Sequence, residues 1–263
     1  MWSESVGKRV RATNTNYVFW VLLSIAVIWF QRPSHADAQT TEVSPPKTVH
    51  TPFLGLKFRI GMSANLFRHL DCLSGRAPCD QAAYQRLWAA RMGLTDQDTQ
   101  RLQQWRATGD AIEMFVRRNR KNFKFEQLAL GTNTLTQFKS KIHFFGAGPR
   151  GKIIVKLMRA FAPRFGDWWD NTGLPTLTRR YQSGVNLVRQ SAMMDSLVQA
   201  RVFLGVDVLS STTHSVDLIA FPSDRHGQGL GFGRFNMAEV ALSKEPEDWL
   251  VTASEALMRS FVK

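Results

Sequence analysis

Between Leu54 and Met62 apolar and polar positions alternate, with Leu54, Leu56, Phe58 and Ile60 on one side, which predicts a half-buried strand. Ser63 is placed to cap a short helix running through Leu70 into a loop that carries both cysteines. Asp80 is placed to cap a helix from Gln81 to Met92 whose inward stripe is Ala83, Tyr84, Leu87 and Trp88, and Gly93 ends it. Thr95 and Asp98 have the spacing of a capping box, without its usual Glu or Gln, for a third helix through Trp105. Gly148-Pro149-Arg150-Gly151 reads as punctuation, followed by a helix from Lys152 to Phe161 that stops before Pro163 and leaves Trp168 and Trp169 in a connector. The strongest helical period runs from about Leu177 to Leu204, with Tyr181, Val185, Val188 and Ala192 on one stripe and Met193, Leu197, Ala200 and Leu204 continuing it; Gly205 ends it.

The last sixty or so residues change period, from helix to strand, turn, strand and helix. Val216 to Phe221 and Phe235 to Leu242 predict strands, and a helix from Glu245 onward presents Leu250, Ala253, Leu257 and Phe261 on one face. The glycine-rich stretch from His226 to Gly233 mimics a phosphate cradle, but that chemistry needs a helix N-terminus directly after the glycines, and a strand follows here. It is read as a hairpin connection. The pattern therefore predicts an α+β fold, a helix-rich single domain with a small sheet over residues 53–263, and no internal repeat.

Ahead of that domain, Lys8, Arg9 and Arg11 precede an uncharged apolar run from Tyr17 to Phe30. The run fits the ~7–15 residues of a signal-peptide core and falls short of the ~20 that span a bilayer as a helix. Residues 1–38 are expected to be an export signal cut after Ala36-Asp37-Ala38, releasing a chain that begins at Gln39 with a polar, proline-containing tether over 39–52. The protein is then periplasmic or secreted. The alternative is an uncleaved N-terminal anchor, and only in that case is membrane association expected.

Charge narrows the partners. The chain carries a formal net charge of +13, of which about +11 remains without residues 1–38. An excess of cations favours anionic surfaces. In an exported protein these are phospholipid head groups or acidic polysaccharide, or a protein partner, and nucleic acid is not expected; the charge also serves plain solubility. The two cysteines, Cys72 and Cys79, lie close together and flank Gly75 and Pro78, as a short disulfide-closed loop in an oxidising compartment does. Two buried free thiols are the alternative. The pair by itself lacks the ligands of a zinc site.

The densest cationic segment holds Arg117, Arg118, Arg120, Lys121 and Lys124, interleaved with Phe123 and Phe125. Such a segment forms an anion-binding surface, or else a solvated helix end leading into a strand whose phenylalanines are core. His69, His143 and His214 are the histidines to consider for catalysis, but no Gly-x-Ser-x-Gly elbow accompanies them.

Taken in order, Leu66 to Gly75 with Tyr84 and Gly93-Leu94-Thr95, Phe161 to Trp169, Phe203 to Val206 and the strand Val216 to Phe221 resemble a group of exported proteins with a gluzincin-like, HExxH-type zinc-peptidase domain. The resemblance implies a zincin-like architecture and places the zinc-binding helix at Trp249 to Phe261. There Ser254 and Met258 stand where the two histidines would be, and Glu255 where the catalytic glutamate would be. A neutral hydroxyl and a thioether are poor zinc ligands, so neither metal nor other cofactor is expected, and Glu255 is a vestigial motif residue. Two readings follow: an exported non-catalytic domain that binds a protein or an anionic envelope component, and an exported hydrolase built from dispersed His, Asp and Glu.

Overall fold

A computed structural model describes residues 51–53, 56–118, 120–190, 214–223, 225, 227–232, 235–242 and 248–261. The signal at 1–38, the tether as far as residue 50, the continuation of the long helix to Leu204 with Gly205, and His226 and Gly233 lie outside the described residues. The fold is α+β: helices α1 (Met62–Leu73), α2 (Gln81–Arg91), α3 (Asp96–Arg117), α4 (Leu135–Phe144), α5 (Gly148–Trp168), α6 (Leu174–Gln190) and α7 (Asp248–Phe261) surround one small sheet. Its strands are β1 (Thr51–Phe53), β2 (Leu56–Arg59), β3 (His214–Phe221), β4 (Gly229–Phe232) and β5 (Phe235–Ala241), in the order β1-β2-β3-β5-β4.

β2, β3 and β5 are parallel neighbours, and antiparallel β1 and β4 close the two edges. Thr51 and Pro52, expected at the end of the tether, thus belong to an edge strand. Half of the glycine-rich stretch, expected as a loop, is β4 paired to β5. Parallel strands are covered on both faces, and β3 and β5 are buried almost throughout, polar positions included. Phe58 of β2 meets Tyr181 of α6 and Trp249 of α7 on one face, with ring centroids 5.8 and 5.3 Å apart. Arg59, Asp217, Ile219 and Glu239 point to the other face, toward α1. The Trp249 indole donates to Arg180 O at 2.9 Å and lies against Gly184, where any Cβ would overlap it.

α1 is the centre of the molecule. Every residue from Ser63 to Leu73 is buried, three residues beyond the expected end at Leu70. Gly61 stands at the cap position, and Ser63, expected to cap, sits inside the helix with its hydroxyl on Thr132 O at 2.8 Å. Asp80 caps α2 as expected, through Ala83 N, and Thr95 with Asp98 forms a complete capping box for α3. α3 runs to Arg117, well past Trp105, because Ile112 and Val116 continue its buried stripe.

Pro163 does not stop α5. The helix continues to Trp168 because Phe161, Phe165 and Trp168 are all buried around the proline, and that packing outweighs the one hydrogen bond lost there. Pro149, expected as punctuation, lies in its first turn, where its missing N–H costs nothing. Trp169 opens a π-helical turn, Trp169–Gly173, that leads straight into α6. The five residues from Trp169 therefore form no loose connector.

Candidate functional site

The basic segment lies where α3 ends and the chain turns toward α4. Arg117, Arg118, Arg120, Lys121 and Lys124 are all exposed, while Phe123 and Phe125 between them are buried. The phenylalanines are core as expected, but Phe125–Leu128 is a 3-10 turn and no strand follows.

The five cations fall into two groups. Arg117 and Lys124 share one acceptor, Glu113, at 3.6 and 3.8 Å. Both line a cleft of about 540 Å³ with Arg76, Pro78, Asp110, Met114 and Glu126. At its base Arg76 donates to Asp71 at 2.9 Å and Glu113 at 3.0 Å, lies 3.3 Å from Glu126 and 3.8 Å from Asp110, and covers the Phe125 ring at 4.5 Å. Burial and the neighbouring Asp71 push the Glu126 carboxyl up. Arg76, Arg117 and Lys124 on its walls face Asp110, Glu113 and Glu126, with Asp71 bound to Arg76 beneath, so the cleft has no excess of cations to trap an anion. Arg118, Arg120 and Lys121 form the other group. Among the described residues, no carboxylate comes within ion-pair distance of any of the three.

The second cluster is buried and sits between α1 and the sheet. Arg68 and Glu239 meet at 2.8 Å, the Tyr84 hydroxyl reaches Glu239 at 3.4 Å, and Gln228 N donates to the second carboxylate oxygen at 3.1 Å. Burial acts against the Arg68 charge, but Glu239, Tyr84 and Asp71 together more than offset it and hold the guanidinium protonated. Arg59 and Asp217 pair at 3.3 Å from register partners of β2 and β3, and Gly131 N donates to Asp217 at 2.9 Å. Asn65 donates to Gly61 O and Leu218 O and accepts from Ala220 N, tying α1 to β3. These groups escaped the sequence reading. The available signal was a lone Asp217 and a lone Glu239 inside apolar parallel strands, which calls for cations opposite.

His69 is completely buried, with both ring nitrogens engaged. Trp88 Nε1 donates to Nδ1 at 3.1 Å, and Nε2 faces Ala220 O at 3.1 Å as the donor. Tyr84, Phe165 and Trp168 enclose the ring. Burial pushes its pKa down to about 3, so it is neutral and has no free nitrogen to move a proton. His143 is exposed at the end of α4, and His214 opens β3, its side chain outside the description. Cys72 and Cys79 form the expected disulfide, Cα to Cα 5.9 Å.

In α7, Ser254 is exposed and Glu255 accepts from Gly229 N at 3.1 Å while pairing with Arg259. The glutamate thus clamps β4 to the helix. The side chain of Met258 lies outside the description. Among the described residues no three His, Cys, Asp or Glu side chains gather as a metal site would need.

The chain matches no known family model, curated protein or solved structure. The site must therefore be read from its own chemistry. Its distinctive parts are three surface cations with no carboxylate partner among the described residues, one of them over the Phe145 ring, and a buried ion-pair layer that holds α1 on the sheet.

Proposed function

We propose that this is an exported, non-catalytic domain that binds an anionic component of the cell envelope through Arg118, Arg120 and Lys121. The observation that carries this reading is that these three exposed cations have no carboxylate partner among the described residues, while Arg117 and Lys124 share Glu113. Cations not neutralised by their own protein keep their full attraction for a partner's anions. The engagement of both His69 nitrogens supports the non-catalytic half of the reading, because it removes one candidate base of the hydrolase alternative. The relation to zinc peptidases belongs to the same proposal, as a member without the metal. It rests on Ser254 and Met258 at the ligand positions and on Glu255 being spent on Gly229.

Retention on dextran sulfate tests it against net charge alone. Arg118→Ser/Arg120→Ser/Lys121→Ser should elute at clearly lower salt than wild type. Arg91→Ser/Arg106→Ser/Arg179→Ser removes equal charge from exposed sites elsewhere and should shift elution much less. Equal shifts for the two triple variants would reduce the binding to bulk charge and sink the proposal.

A further inference from the structure

Phe144, the last residue of α4, is 76% exposed, the most exposed of the large apolar side chains described. Its ring stands 5.9 Å from that of Phe145, edge to face, and Phe145 in turn lies under Arg120 at 4.9 Å. Phe145 also meets the buried Phe123 at 5.4 Å, which anchors the α4–α5 turn to the basic segment. The exposed ring and Arg120 are therefore parts of one surface, with Arg118 and Lys121 beside Arg120 along the chain. Gly146 and Gly148, with φ +69 and +53, shape the turn, and nothing lies within 4 Å of where their Cβ atoms would be, so its tip is open.

Along residues 114–166 Glu126 is the one carboxylate, and it is buried against Arg76. Residues 127–166 contain no Asp or Glu, and neither do residues 114–125. Lys139, Arg150, Lys152, Lys156 and Arg159 of α4 and α5 are exposed in addition to Arg118, Arg120 and Lys121. Phe115, 41% exposed, lies one helical turn before Arg118. A protein partner's surface carries both signs. An exposed ring linked through Phe145 to Arg120, on a stretch of chain whose exposed charges are cations, complements a plane that is uniformly negative outside and apolar a few ångströms in.

Resting on the reading that Arg118, Arg120 and Lys121 take anions, we propose that the α4–α5 turn docks on an anionic lipid bilayer, with Phe144 entering the boundary between head groups and acyl chains and the cations meeting the phosphates. On this proposal membrane contact needs no N-terminal anchor.

The test uses protein recovered from the producing cell, in whichever N-terminal form it has, carrying Phe144→Cys labelled with an environment-sensitive nitrobenzoxadiazole. Cys72 and Cys79 are bonded to each other, so the label has a single thiol. On vesicles containing phosphatidylglycerol the probe should shift to the blue and be quenched by lipids brominated on the upper acyl chain; on pure phosphatidylcholine it should do neither. The same labelled protein with Arg118→Ser/Arg120→Ser/Lys121→Ser should lose the shift, and unlabelled Phe144→Ser should bind phosphatidylglycerol vesicles roughly tenfold more weakly than wild type. Salt-sensitive retention on dextran sulfate with a probe that stays in water would overturn the lipid proposal and leave the anion reading standing. A probe response unaffected by the triple charge variant would instead overturn that reading.

Discussion

Arg68 and Glu239 form an ion pair of 2.8 Å in which neither side chain reaches solvent, joining the central helix to strand β5. Removing one partner strands a charge in the core, whereas replacing both removes the desolvation problem altogether. Glu239→Ala should therefore destabilise the protein by about 3–5 kcal/mol in urea titration, and Arg68→Met/Glu239→Leu by much less. A double variant as unstable as the single one would show that the geometry of the pair, and not its charge balance, holds α1 in place.

His69 sets a pH dependence. Burial pushes its folded pKa down to about 3, against about 6.5 in an unfolded chain. The unfolded state thus binds the extra proton as pH falls below 6.5, and stability present above that value is lost down to about pH 3. The slope attributable to this residue is about 1.4 kcal/mol per pH unit in that window. Wild type should lose stability more steeply than His69→Gln between pH 6 and 4, and parallel curves would refute the assignment.

Two glycines with similar backbones should respond differently to alanine. Gly131 has φ +86, and a Cβ there would lie 2.7 Å from the Arg59 guanidinium that pairs with Asp217. Gly93 has φ +70 with nothing within 4 Å. Gly93→Ala should cost about 1 kcal/mol of backbone strain. Gly131→Ala should cost about 2 kcal/mol more, because the buried ion pair must move. Thermal denaturation of the two variants gives the comparison, and equal losses would mean that Arg59 yields freely.

The disulfide from Cys72 to Cys79 closes the loop between α1 and α2. Reduction should lower stability by about 2–3 kcal/mol, read from urea midpoints with and without reductant. An unchanged midpoint would show that Arg76, held by Asp71 and Glu113, already orders this loop without the bond.

Zinc should be present at well under one equivalent in purified protein, and chelator should leave the melting temperature unchanged, because Ser254 and Met258 are not zinc ligands. Glu255→Gln should cost about 1 kcal/mol through its weakened bond to Gly229 and lost pairing with Arg259. Stoichiometric zinc that survives dialysis would show ligands supplied from elsewhere in the chain.

Much of the local structure was legible in the sequence. Asp80 and the Thr95–Asp98 box mark helix starts because a short polar side chain satisfies free N–H groups whatever surrounds it. Helix ends were harder to read. Pro163 and Trp105 were expected to lie at or beyond ends, yet α5 and α3 run past them because buried aromatic and aliphatic side chains farther along reward continuation.

The basic segment shows the same division at the level of the site. Sequence by itself determined that five cations cluster between residues 117 and 124, and that Cys72 and Cys79 could bond, since both rest on spacing along the chain. Only the tertiary structure decided which of those cations meet a carboxylate among the described residues. Glu113 lies on α3, one turn before Arg117, and the fold of the 120–125 segment brings Lys124 back to it, while Phe145 comes from another helix to meet Arg120. The buried pairs Arg68–Glu239 and Arg59–Asp217 likewise join residues more than 150 positions apart. A charge has no fixed range in sequence: its partner is whichever group folding delivers within a few ångströms, and burial then decides how much the meeting matters.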